Sequence, residues 1–221
     1  MSDIVTRHQK QLATMRAWLD GRRYFKAIAA LELMRSHEVG TRKDGLTPKA
    51  HHQLSIARLL STLEPHFMYP EDTMCVAFLH DDLEDHSDVN SLGTIRQNFG
   101  DLVAAGVWSV TKKCPAAGVA KTYESYFGGL ARDPIGSIVK LADRAHNYQT
   151  MPGVFSEGKQ KEYLSELDTW FLPLVRAARH NFPSQYAAYE NLKILLRCQA
   201  ALLRTNLEQA EELRTSILPL A

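Results

Sequence analysis

The 221-residue sequence has little cysteine, almost no net charge and no long apolar run. Its three cysteines, Cys75, Cys114 and Cys198, lie far apart with no CxxC pair. That supports neither a disulfide framework nor a thiolate zinc site, and it points to a reducing, cytoplasmic setting. The formal net charge is +1, from 26 basic and 25 acidic residues. So balanced a chain has no global attraction for DNA, RNA or a membrane surface, and none is expected as a partner. No stretch approaches the roughly 18 apolar residues of a membrane span. The opening segment, MSDIVTRHQKQL, lacks the apolar core expected of a signal peptide. A Gly-rich phosphate loop of the P-loop or dinucleotide kind is also missing, which leaves kinase and dehydrogenase readings without support.

What is present is helical periodicity. With 45% hydrophobic residues the chain can bury a sizeable core. Phe25, Ile28, Ala29, Leu33 and Met34 recur at helical spacing between about Arg22 and Ser36. The polar loop TRKDGLTP follows, and a second helix is predicted from Lys49 to near Pro65. Tyr69-Pro70 introduces a third helix, predicted over Glu71 to Asp85. Ser91 to Val110 reads as one or two helices broken at Gly100, and Cys114 to Ala120 as a loop. A helix from Pro134 to Thr150 stops at Met151-Pro152-Gly153. Long helices over Lys159 to His180 and Ser184 to Ser216 complete the pattern. No alternating strand run stands out. The expected fold is all-α, one domain over 1–221, with a core at about 22–182 and C-terminal helices over 183–221.

The segment FLHDDLEDHSD carries the sharpest chemistry. On one continuous helix Glu84 falls a turn beyond His80, and Asp85 a turn beyond Asp81. The apolar run from Met74 to Leu79 sits beside them, and crowded carboxylates near such a run need a neutralising cation. A metal held by His80 and Asp81 would supply it, leaving Glu84 and Asp85 for proton transfer. The bland alternative is a solvated acidic helix end. In LADRAHN, helical phase places Lys140, Asp143 and Asn147 on one face, and an exposed polar face is the competing reading. In the pair His51-His52, His52 heads the apolar stripe Ile56, Leu59, Leu60 and Leu63. A lone histidine on such a stripe is more often a satisfied core residue, but with a second candidate ligand pair elsewhere His52 is the expected ligand. His51 falls in line with Ser55, Arg58 and Thr62 and is expected at the surface.

Taken in order, RKDG…TPxxxHxL, LHDxxED and KLADRxHN resemble the HD hydrolase domain of the RelA/SpoT alarmone enzymes. The resemblance runs over about residues 25–180, and KEYLSELDTWFLPL followed by Phe-Pro resembles a later helix of that family. Since the sequence carries no synthetase segment, it looks most like the small alarmone hydrolases. The resemblance implies an HD-type helical domain with metal ligands His52, His80, Asp81 and Asp143 and catalytic acids Glu84 and Asp85. It also implies substrate contacts from Arg42, Lys43 and Asn147, with Lys140 available to phosphate. The implied activity is removal of the 3′-pyrophosphate of ppGpp or pppGpp, giving GDP or GTP, as in the stringent response. Three departures stand out: Thr47-Pro48-Lys49 where the family commonly has Pro-Tyr after the loop, His52-Gln53 where it commonly has His-Pro, and one extra residue between Gly45 and Pro48.

Two histidines and two aspartates form a nitrogen–oxygen donor set that suits Mn²⁺, with other divalent ions able to occupy it. Two alternatives stay open: an HD phosphohydrolase of another nucleotide such as a dNTP or NADPH, and a nucleotide-binding interaction protein with little turnover. The C-terminal helices are expected to close the core. The alternative roles for them are pairing with a second copy or with an alarmone synthetase.

Overall fold

The computed structural model describes residues 3–217. The chain is all-α apart from one minute hairpin. The first helix, α1 (Asp3–Arg22), leads into α2 (Phe25–His37) and α3 (His51–Ser61). The centre is α4 (Pro70–Leu79), started by proline at its first position, where no intrahelical N–H is required. Every residue from Thr73 to Leu79 is buried. A helix apolar on all sides has to be surrounded, and α4 packs against α2, α3, α7 (Asp101–Val110) and α9 (Gly136–Thr150). Between them lie α5 (Asp82–Asp85), α6 (Leu92–Phe99) and α8 (Tyr123–Leu130). Helices α10 (Glu157–Glu166), α11 (Leu172–Asn181) and α12 (Tyr186–Ile217) complete the described residues.

Helices α7 and α9 cross at very short range. A Cβ on Gly136 would stand 1.8 Å from Ser109 Oγ, so only glycine fits there. On its other side α9 is covered by α12, whose Tyr189, Leu192, Leu196 and Ala200 are fully buried. The hydroxyls of Tyr189 and Ser137 meet at 2.8 Å across this contact. Among the described residues no helix is long and apolar enough to cross a membrane.

Several boundaries differ from expectation. Helix α1 was not foreseen, nor was α8. The stretch Cys114 to Ala120, expected as a loop, folds with Lys113 into paired two-residue strands, β1 (Lys113–Cys114) and β2 (Val119–Ala120). The expected single helix over Lys159 to His180 is divided by a wider π-type turn at Leu167–Phe171. Pro173 explains it: lacking an N–H and crowding the preceding carbonyls, it starts α11 afresh. The expected single helix through Asp85 breaks at His80-Asp81, where Asp81 adopts φ −93° and ψ −6° before α5 begins.

Candidate metal centre and cleft

Three helices bring the histidines and aspartates together. His52 comes from the first turn of α3, His80 and Asp81 from the break between α4 and α5, and Asp143 from the middle of α9. His52 Nε2 lies 3.1 Å from Asp143 Oδ1 and 3.3 Å from His80 Nε2. Asp81 Oδ2 lies 3.1 Å from His80 Nε2 and 3.9 Å from His52 Nε2. His52, His80 and Asp143 are all buried, and one donor atom from each falls within 4.8 Å of the others. Such a group can hold a metal ion, and Asp81 Oδ2 lies beside it at the rim, outside that group of three.

The outer partners orient these donors. His80 Nδ1 lies 2.9 Å from the Ala77 carbonyl, which can only accept. A proton therefore sits on Nδ1, and Nε2 faces the cluster, its lone pair open to a cation once the second proton is displaced. His52 Nδ1 is held 2.8 Å from His146 Nδ1. Burial, reinforced by the neighbouring His52 and Arg42, depresses His146 to about 3, so it stays neutral as a partner for His52. Asp143 receives Lys140 Nζ on Oδ2 at 2.7 Å and Asn147 Nδ2 on Oδ1 at 2.8 Å. Burial opposes ionisation of Asp143, but Lys140 and the two histidines outweigh it and hold the carboxyl well below its ordinary value. Burial likewise opposes charge on His80, yet Asp81 and Asp143 raise it to about 9. Protons and a cation thus compete for the same lone pairs.

The centre borders a cleft of about 430 Å³. Arg42, Lys43, His52, Asp81 and Asp85 all line it. Arg42 and Lys43 sit on a loop with its own internal order. The Arg42 N–H donates to the Thr47 carbonyl at 2.7 Å, and the Asp44 carboxylate accepts from the Leu46 and Thr47 amides, each at 2.9 Å. The Thr47 hydroxyl, with those amides, holds Asp44 down at about 2. Lys43 Nζ lies 4.9 Å from the centre of the Phe155 ring, which also lines the cleft.

Asp85 and Glu84, expected to act together, face different surroundings. Asp85 lines the cleft. Glu84 turns toward the end of α7, where its Oε1 accepts the backbone N–H of Lys112 and, at 3.3 Å, that of Lys113. The break at His80-Asp81 separates them from the stacking expected on a continuous helix. Helix α5 is clamped to the end of α2 by His37 Nδ1 on Asp82 Oδ1 at 2.7 Å and His86 Nε2 on Glu38 Oε1 at 3.1 Å. Lys140 and Asn147 share a face as the periodicity predicts, but both point at Asp143 rather than lining the cleft.

His51, expected at the surface, is half-buried and lines the cleft. The reason is α1, invisible to the helical phase of α3 alone: its His8 ring lies 5.8 Å from the His51 ring. Sequence reasoning also passed over His146 and met Gln53 only as a departure from the resembled pattern; the contacts of both depend on distant helices. Gln53 Nε2 lies 3.2 Å from Asp81 Oδ2. His146 stands inside the LADRAHN segment, which was the one available signal.

No protein-family model matches the chain. Over 140 residues it is 34% identical to the protein named GTP pyrophosphokinase of Streptomyces coelicolor, covering 62% of this chain and 16% of that protein. Over 154 residues it is 30% identical to guanosine-3′,5′-bis(diphosphate) 3′-pyrophosphohydrolase of Aquifex aeolicus, covering 66% of this chain and 21% of that protein. The chain therefore spans less than a quarter of the length of either relative. The two names describe opposite directions, transfer of pyrophosphate and its hydrolysis.

Proposed function

We propose that this chain is a metal-dependent phosphohydrolase that removes the 3′-pyrophosphate of guanosine alarmones, converting ppGpp or pppGpp to GDP or GTP. The observation that carries the proposal is the convergence of His52, His80 and Asp143, with Asp81, beside a cleft that also holds Arg42, Lys43 and Asp85. The donor set fits a divalent ion such as Mn²⁺: two neutral-capable imidazoles, two carboxylates and no thiolate. An ion held there supplies Lewis-acid polarisation of a phosphate oxygen and a lowered pKa for water.

The chain's own residues account for the rest. Arg42 offers a planar guanidinium to a phosphate or to the base, and Lys43 offers a point charge. Asp85, in the cleft, accepts the proton of the attacking water as its oxygen bonds to the phosphorus next to the ribose 3′ oxygen. The bond from that phosphorus to the 3′ oxygen breaks, the 3′ oxygen takes up a proton, and pyrophosphate departs. Lys140 and Asn147 hold Asp143 in place. Hydrolysis is preferred over synthesis because a metal centre beside a free carboxylate, Asp85, suits activation of water. The Aquifex relative is named for this hydrolysis, and the Streptomyces relative for transfer of pyrophosphate.

The test is a nucleotide panel incubated with the Mn²⁺-loaded protein, with products separated by chromatography. GDP and pyrophosphate from ppGpp are expected. Consumption of dATP or NADPH with ppGpp untouched would overturn the substrate and leave the metal-dependent phosphohydrolase standing.

A further inference from the structure

Gln53 follows His52 in the first turn of α3, where it is 3% exposed and forms part of the cleft wall. A glutamine at this position of a helix commonly reaches back to the N-cap amide. Here the N-cap is Ala50, no side-chain cap forms, and Gln53 reaches across to the α4–α5 break instead. Its Nε2 lies 3.2 Å from Asp81 Oδ2. That same oxygen faces His80 Nε2 at 3.1 Å and His52 Nε2 at 3.9 Å. The amide therefore grips the one Asp81 oxygen that looks into the donor cluster. Because an ionised carboxylate only accepts, the NH₂ end of Gln53 has to point at it. The other end, Oε1, is buried with no hydrogen-bond partner. The amide is thus oriented from the Asp81 side.

Asp81 needs such a holder more than its counterpart does. Asp143 is gripped by Lys140 and Asn147 and its side chain is 7% exposed, whereas the Asp81 side chain is 29% exposed at the cleft rim. Asp81 also follows a break in the helix, so no regular backbone geometry sets its direction.

We propose that Gln53 is a positioning residue for the metal centre, fixing Asp81 Oδ2 so that it completes the set made by His52, His80 and Asp143. The inference rests on the metal-site reading above. Outer partners of this kind typically contribute about 10- to 100-fold in metal affinity.

Gln53→Met keeps the length and apolar volume of the side chain and removes the donor. Mn²⁺ binding to the full chain, followed by calorimetry without nucleotide, should weaken about 10- to 100-fold. The melting temperature of the metal-free protein should stay at the wild-type value. Turnover lost at low Mn²⁺ should return at saturating Mn²⁺, with kcat near wild type, which a merely structural role does not produce. Gln53→Asn, one methylene short of Asp81, should show the same weakening and serves if Gln53→Met fails to fold. Wild-type Mn²⁺ affinity in a folded variant overturns the proposal for Gln53 alone. Absence of Mn²⁺ binding by the wild-type protein overturns the metal-site reading itself.

Discussion

Asp85 and Glu84 are neighbours in sequence with different free lone pairs. Glu84 already accepts from two backbone amides, while Asp85 opens on the cleft. Asp85→Asn should therefore lower kcat by about 10²- to 10⁴-fold, the usual contribution of a proton-transfer group. Glu84→Gln should cost less, since its amide can still accept from Lys112 through its oxygen. Single-turnover rates of the two variants check this order, and equal losses would refute it. The two adjacent histidines separate in a similar way. His52→Ala should lower bound metal, measured by elemental analysis, whereas His51→Ala should leave it unchanged, because only His52 Nε2 faces Asp143. Phase along α3 put His52 on the apolar stripe, and its Nε2 does face Asp143. Phase was not enough to bury His51, since the covering helix lies some forty residues upstream. Gln53 was illegible for a related reason: its partner sits across a helix break that no periodicity announces.

At the scale of elements, the loop that carries Arg42 and Lys43 owes its shape to one exposed carboxylate. Asp44 gathers the amides of Leu46 and Thr47 and the Thr47 hydroxyl, and Gly45 takes φ +69° to allow the turn. Asp44→Ala should raise KM for the nucleotide while leaving Mn²⁺ affinity unchanged, which steady-state kinetics and calorimetry can separate. The carboxyl is depressed from 3.8 to about 2 in the folded loop. Its ordering effect is therefore present above the ordinary carboxylate range and is lost as pH falls through about 2. The crossing of α7 and α9 is the second such case. Gly136→Ala would force Ser109, and with it the helix pair, to move, costing about 1–3 kcal/mol in a denaturant melt. An unchanged midpoint would mean that the crossing yields more easily than its contact distances imply. Helices with a clear apolar stripe or a proline start, such as α3 and α4, were legible from the sequence. Helix α1 was not, having a mostly polar face, and the division between α10 and α11 depended on how one proline is accommodated.

Over the whole molecule, the all-α class followed from periodicity, and the tight packing of α12 on α9 places the C-terminal helix in the core. Cooperative unfolding in one transition, seen alike by far-UV circular dichroism and tryptophan fluorescence, is expected if residues 1–221 form one domain. Mn²⁺ should move that transition upward. At 100 times its dissociation constant a ligand specific to the folded state adds about 2.7 kcal/mol. A metal titration by differential scanning fluorimetry measures the rise, and His52→Ala should abolish it. The donors that meet at the centre are far apart along the chain: His52 lies 28 residues from His80, and 94 from His146, its partner on α9. In an unfolded chain such separations make simultaneous capture by one ion entropically remote. On the metal-site reading the ion is a removable staple across three helices. Metal starvation would then shorten the lifetime of the protein as well as silence it.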